Sequence, residues 1–278
     1  MRSAPIDLKA WLDRLYAAYH RRELVHPDPL SFLYRYPDAA DREVVGLIAA
    51  TFAYGRVAYI LKSIEVVLDQ LGPSPARELE KVDRREWGKR LHGFQHRWTK
   101  ADQVVDLLVA MRDVRRTHGS LEAAFVKGLR RDDRNVQRAL GAWTSLLRTA
   151  GNMTSRCLVA DATKGSACKR LHLYLRWMVR SDAIDPGGWR DVAPSQLIIP
   201  LDVHLHGVAR MLKLTRRKPA DLRTAMEITD NLRKICPDDP VRYDFALTRP
   251  GIREGMSPDE LRGILRASSS ATVTRHDA

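Results

Sequence analysis

Cysteine is scarce, with only Cys157, Cys168 and Cys236 among 278 residues. An odd, sparse set builds no disulfide framework and points to a reducing compartment. Its spacings fit neither a zinc site nor an iron–sulfur cluster. Long apolar runs are missing as well. No stretch approaches the ~20 apolar residues that span a bilayer. The opening M-R-S-A-P-I-D-L-K-A-W has no signal-peptide core. Acidic residues are in deficit, 34 Asp and Glu against 47 Lys and Arg, which leaves a net charge of +13. A surface that basic attracts polyanions. Nucleic acid is therefore the expected partner and a membrane is not. The expected location is the cytoplasm, at the nucleoid. The alternative is a basic face that meets only solvent.

The alternating pattern of strands is also absent, and helical periodicity takes its place. Leu8, Trp11, Leu12, Leu15 and Tyr19 lie on one stripe, as do Val57, Ile60, Leu61, Ile64, Val67, Leu68 and Leu71. The same spacing recurs in Val104–Met111, Val136–Leu147, Leu171–Met178 and Leu205–Leu212. Val44 to Phe52 is apolar almost all round and reads as a buried central helix. Gly72-Pro73 ends a helix, Thr99 with Asp102 starts one, and His118-Gly119-Ser120 separates two more. Pro219 suits a first helical position, and Ser257-Pro258-Asp259-Glu260 reads as a capping box. The polar tail 268–278 is expected to be disordered. The fold class is all-α, one unit over residues 1–267 and a monomer. One lobe is expected from about 45–199, the other from about 1–44 plus 200–267.

The stretch from Thr163 to Leu214 holds the chemistry. Gly165-Ser166-Ala167 is read as opening a helix, where small residues and unpaired N–H groups let a phosphate approach. Lys169 falls in the first turn. The positive helix end disfavours a further positive charge there, which favours a neutral, nucleophilic amine. A surface lysine touching phosphate remains the alternative. Asp202 follows Pro200-Leu201 and precedes an amphipathic helix, a position that suits an N-cap. A purely structural cap is the alternative. His204 and His206 stand two apart on a helix and face different ways, so no metal is expected from them. Lys169, His172, Arg176 and Arg180 form a polar stripe that faces either phosphate or water.

Together these segments resemble the helix-hairpin-helix DNA glycosylases, the superfamily of endonuclease III and 8-oxoguanine glycosylase. Gly165-Ser166-Ala167-Cys168-Lys169 is similar to that family's hairpin end, where glycine leads by four residues to a catalytic lysine. Leu201-Asp202-Val203-His204-Leu205-His206-Gly207-Val208 is similar to its V-D-T-H-V-x-R-V pattern, where the aspartate is catalytic. Phe52-Ala53-Tyr54-Gly55-Arg56-Val57 stands where the family has a turn that reaches the minor groove. The K-R-L-x-x-x-L-R-W-M-V-R stretch is shared with a group of uncharacterised bacterial proteins. The chain departs from the pattern at Ala167, which replaces the second hairpin glycine. It lacks the L-P-G lead, the four-cysteine cluster and the turn glutamines. The loop from Ser181 to Pro200 lengthens the Lys169–Asp202 interval, as in the archaeal 8-oxoguanine glycosylase.

The resemblance implies a two-lobed fold around a DNA cleft. It implies excision of a damaged base, an oxidised purine such as 8-oxoguanine foremost, with strand cleavage through a lysine Schiff base. Lys169 and Asp202 would be catalytic. Tyr54, Gly55, Arg56, Lys164, Gly165, Ser166 and Arg176 would contact double-stranded DNA, and Trp177 and Trp189 would line the base pocket. No cofactor is implied. The alternatives are a non-catalytic nucleic-acid-binding module of the same fold and an RNA-directed enzyme.

Overall fold

The computed structural model describes residues 7–155, 157–256, 260, 261 and 263. The fold is all-α apart from one short hairpin. Helix α1 (Leu8–Tyr19) leads through a 3-10 turn (Pro29–Arg35) to α2 (Ala39–Thr51). Then follow α3 (Val57–Leu71), α4 (Pro75–Lys81) and α5 (Arg84–Arg90). The strands β1 (Gln95–His96) and β2 (Thr99–Lys100) pair antiparallel before α6 (Ala101–His118). These strands are too short to show alternation, which is why the sequence pattern does not reveal them. Helices α7 (Leu121–Val126), α8 (Gln137–Ala150), α9 (Lys169–Val179), α10 (Val203–Met211), α11 (Leu222–Arg233) and α12 (Asp244–Glu254) complete the order.

The all-round apolar run behaves as its composition demands. Glu43 to Phe52 is buried without interruption, and α2 packs against α9, α4 and the 3-10 turn before it. The one charged group in that run, Glu43, is fully employed. It accepts the Leu121 and Glu122 amides at 3.0 and 2.6 Å, pairs with Arg115 at 3.1 Å, and takes the Trp189 indole N–H at 2.9 Å. A buried carboxylate needs such partners.

Helices α1 and α12 meet, the Tyr243 hydroxyl donates to Asp13 at 2.7 Å, and Arg249 pairs with Asp28. Below them lies a closed ionic cluster. Arg176 is 3% exposed and pairs with Asp185 and Asp244, while Arg180 pairs with Asp182, Asp185 and Asp239. The expected polar stripe on α9 is therefore corrected: His172, Arg176 and Arg180 face the interior, not phosphate or water. Arg176 is withdrawn as a DNA contact, since two carboxylates already neutralise its guanidinium.

Two further expectations change. Pro219 precedes α11 rather than starting it, because Asp221 caps the helix, accepting the Thr224 amide at 2.9 Å. Gly165-Ser166-Ala167 is not helical. The Gly165 carbonyl instead accepts the Leu222 amide at 3.1 Å, satisfying an N-terminal N–H of α11, and Ser166 bridges to Asp221. The Ser257-Pro258-Asp259 segment and the tail 268–278 lie outside the described residues.

His172 has a consequence for stability. It is 1% exposed, and neither ring nitrogen has a partner among the described residues. Burial pushes its imidazole down to about 4. In the unfolded chain it titrates near 6.5. Between these values the unfolded state binds the proton and the folded state does not, so stability falls as pH drops from 6.5 towards 4. The expected loss by pH 4 is of order 3 kcal/mol. Urea titrations of the parent and His172→Phe at several pH values check this. The variant should lack that share of the acid slope.

Candidate functional site

Lys169 and Asp202 are brought together from the starts of two helices. Lys169 is the first residue of α9, and Cys168 before it adopts a left-handed conformation (φ 42°), with its side chain buried. Asp202 is the N-cap of α10, its Oδ1 accepting the Leu205 amide at 2.8 Å. Its other oxygen, Oδ2, lies 2.8 Å from Lys169 Nζ. The capping role and the contact with lysine thus coexist on the two oxygens of one carboxylate. Burial alone would raise the Asp202 carboxyl. The charge and hydrogen bond of Lys169, the Leu205 amide and nearby His204 outweigh it and hold the group below the usual carboxylate range. The pair is half-open, with side chains 37% and 29% exposed, so a substrate can reach it.

The pair stands in the wall of a cavity of about 660 Å³. Helix α9 contributes Lys169, Leu173, Arg176 and Trp177, the spacing of one helix face. The turn between α2 and α3 contributes Ala53, Tyr54 and Gly55, and the chain ends contribute Asp28, Asp244, Thr248 and Arg249. This volume exceeds what a single purine needs and falls within the range of ligand pockets.

Tyr54 is fixed at the rim. Its hydroxyl bonds Thr99 Oγ1 at 2.7 Å and the His96 carbonyl at 3.1 Å, and the Arg170 guanidinium lies 4.9 Å from its ring centre. Gly55 follows at φ 105°, where a Cβ would stand 3.0 Å from the Arg97 side chain. Both the left-handed backbone and the close approach require glycine. Next to this turn, Trp98 at the hairpin tip is 68% exposed, with the Arg97 guanidinium 4.2 Å from its ring centre. Arg56, Lys62, Arg97 and Lys100 are exposed, without an ion-pair partner among the described residues, and Arg56 and Arg97 line one depression beside the turn.

Of the residues singled out by sequence, Tyr54, Gly55, Lys169, Asp202, Trp177 and the carboxylate-paired Arg176 share the cavity. Arg56, Lys164, Gly165 and Ser166 are exposed near it, Gly55 with Arg56 in a neighbouring depression and Ser166 with Lys169 in another. Trp189 is corrected to a core residue. Its ring packs on Phe125, Trp143 and Tyr174, and its indole N–H is held by Glu43. His204 and His206 part as expected. His204 packs against Gly251, while His206 Nε2 lies 2.9 Å from the Arg217 carbonyl. Among the described residues no group of His, Cys, Asp and Glu could hold a metal ion. Asp28, Arg249 and Trp98 escaped sequence reasoning. Asp28 and Arg249 meet across almost the whole chain, whereas Trp98 stands in a polar H-R-W-T turn whose lone tryptophan is a readable signal.

A family model described as a protein of unknown function (DUF2400) matches residues 28–253, a span that begins at Asp28 and includes Arg249. No curated protein and no solved structure matches the chain.

Proposed function

The chain belongs to this DUF2400 family, and we propose that it is a DNA glycosylase that excises a damaged base and opens the strand through a lysine Schiff base. The observation that carries the reading is the 2.8 Å contact between Lys169 Nζ and Asp202 Oδ2 in the wall of a cavity large enough to admit a base. An amine beside a carboxylate that stays ionised is the equipment for N-glycosidic cleavage. As the C1′–N bond breaks, its electron pair leaves on the base, and positive charge grows on the sugar. The Asp202 carboxylate stabilises that charge. Lys169 gives one proton to the departing base and, as the free amine, bonds to C1′; it then passes a second proton to Asp202, which returns it to O4′ as the ring opens to the imine. Asp202, again a carboxylate, takes a C2′ proton from that imine, and the electron pair released expels the 3′ phosphate, which breaks the strand. The target base has to leave the duplex stack to reach the pair.

The surroundings favour a nucleic-acid substrate. Arg56, Arg97, Lys100 and Lys164 are exposed, and Trp98 offers a ring for stacking against bases. No helix among the described residues is long and apolar enough to cross a membrane. The two-lobed division and a monomeric state belong to the same proposal.

Base release from duplexes that each contain one lesion tests the reading. Excision of at least one lesion, with oxidised purines tried first, is the expected result. No excision across oxidised, deaminated and alkylated bases, together with no cleavage of an abasic duplex, contradicts it. Affinity for intact duplex should also fall steeply with salt. A footprint of about six phosphates loses roughly a thousandfold between about 50 and 200 mM salt. A flat dependence contradicts a surface that tracks DNA.

A further inference from the structure

The cavity wall holds two buried donors that no described residue satisfies. Trp177 is 1% exposed and Arg249 3%, and both line it. Trp177 Nε1 and Arg249 Nε have no hydrogen-bond partner among the described residues. The remaining guanidinium nitrogens of Arg249 are occupied, one by Asp28 and one by the Leu24 carbonyl at 3.4 Å. Its plane lies on Phe245, 4.0 Å from the ring centre. Asp28 is itself fixed, its Oδ1 accepting the Leu30 amide at 3.0 Å. An unsatisfied buried donor is costly, so folds keep few of them. Both belong to residues that line one cavity, beside the Asp28 carboxylate, so a ligand that shifts these side chains slightly on binding can complete them.

That pattern has a complement. Two N–H donors call for carbonyl oxygens, and the Asp28 carboxylate calls for an N–H. A six-membered base ring with a lactam edge, an N–H beside a C=O, offers both. Guanine-derived and uracil-derived bases have that edge. Adenine-derived and cytosine-derived bases put an amino group there, which would meet the indole and guanidinium donors with another donor and leave them unpaired. Mismatched polar groups of this kind discriminate more strongly than a change of size does.

We propose that Asp28, Trp177 and Arg249 form a base-reading wall that selects a lactam-edged base, which makes them the specificity-determining residues of the site. This rests on the glycosylase reading, and the test separates the two. Lys169→Gln protein, which cannot turn over, is titrated with matched duplexes: 8-oxoguanine against 8-oxoadenine, and 5-hydroxyuracil against 5-hydroxycytosine. The expected result is tighter binding of the lactam member in at least one pair by about tenfold. The purine and pyrimidine pairs distinguish which ring fits. Adding Trp177→Phe, which keeps an aromatic ring and deletes the donor, should erase most of the preference. Arg249→Lys, which keeps the charge and deletes the Nε–H, should do the same, so the test does not depend on one variant folding. Equal affinity within both pairs overturns the inference, and so does a preference that survives both variants. Borohydride trapping of the wild type on an abasic duplex, which has no base to read, reports the lysine chemistry alone. Trapping without a preference overturns the base-reading wall and leaves the glycosylase reading standing. A preference without trapping leaves the base-reading wall standing and overturns the Schiff-base step alone.

Discussion

Asp202→Asn should lose about two to four powers of ten in single-turnover base release while folding and DNA affinity stay near those of the parent. The two carboxylate oxygens of Asp202 have separate tasks. Oδ1 caps α10 through the Leu205 amide, and Oδ2 meets Lys169. Asparagine caps a helix about as well as aspartate. The substitution therefore spares the fold and removes the charge. If Asp202 served only as a cap, turnover would be unchanged along with stability. A melting curve, a binding titration and a base-release time course on the same preparation separate the two outcomes. Near-normal turnover in Asp202→Asn would remove it from the chemistry.

Lys169→Gln should reduce covalent trapping by borohydride to background. Only a primary amine forms the imine that borohydride reduces, and glutamine has none. Its amide still reaches towards Asp202, so binding of the lesion duplex should change by no more than a few-fold, the scale of one half-exposed ion pair. Base release should fall with trapping, because the same nitrogen performs the displacement. Full trapping in the variant would place the nucleophile on another amine.

What the sequence made legible was whatever local pattern dictates. The all-round apolar run Val44–Phe52 became the buried α2, and the cap position of Asp202 followed from its place before an amphipathic helix. Lys169 and Asp202 could be paired in advance only through a resemblance, and their 2.8 Å separation depends on how the loop from Ser181 to Pro200 returns the start of α10 to the start of α9. Arg176 and Trp189 show where local reading stops. Each belongs to a type that serves surfaces and pockets, yet Arg176 is enclosed by Asp185 and Asp244, and Trp189 by Glu43 and an aromatic cluster. Those partners are named by tertiary contact alone. The same holds for Asp28 and Arg249, whose pairing depends on helices α1 and α12 meeting. Gly165 was misplaced for a different reason. Small residues before a helix suit an anion site, but its carbonyl was needed to satisfy the Leu222 amide of another helix.

The central claim is that Lys169 is the amine that attacks the sugar, and one measurement addresses it directly. Wild-type protein is reduced with borohydride on an abasic duplex, the complex is digested, and the modified peptide is located by mass spectrometry. The account predicts a single sugar adduct on Lys169. An adduct on Lys164 or on the N-terminal amine, with Lys169 unmodified, would contradict it, as would the absence of any adduct.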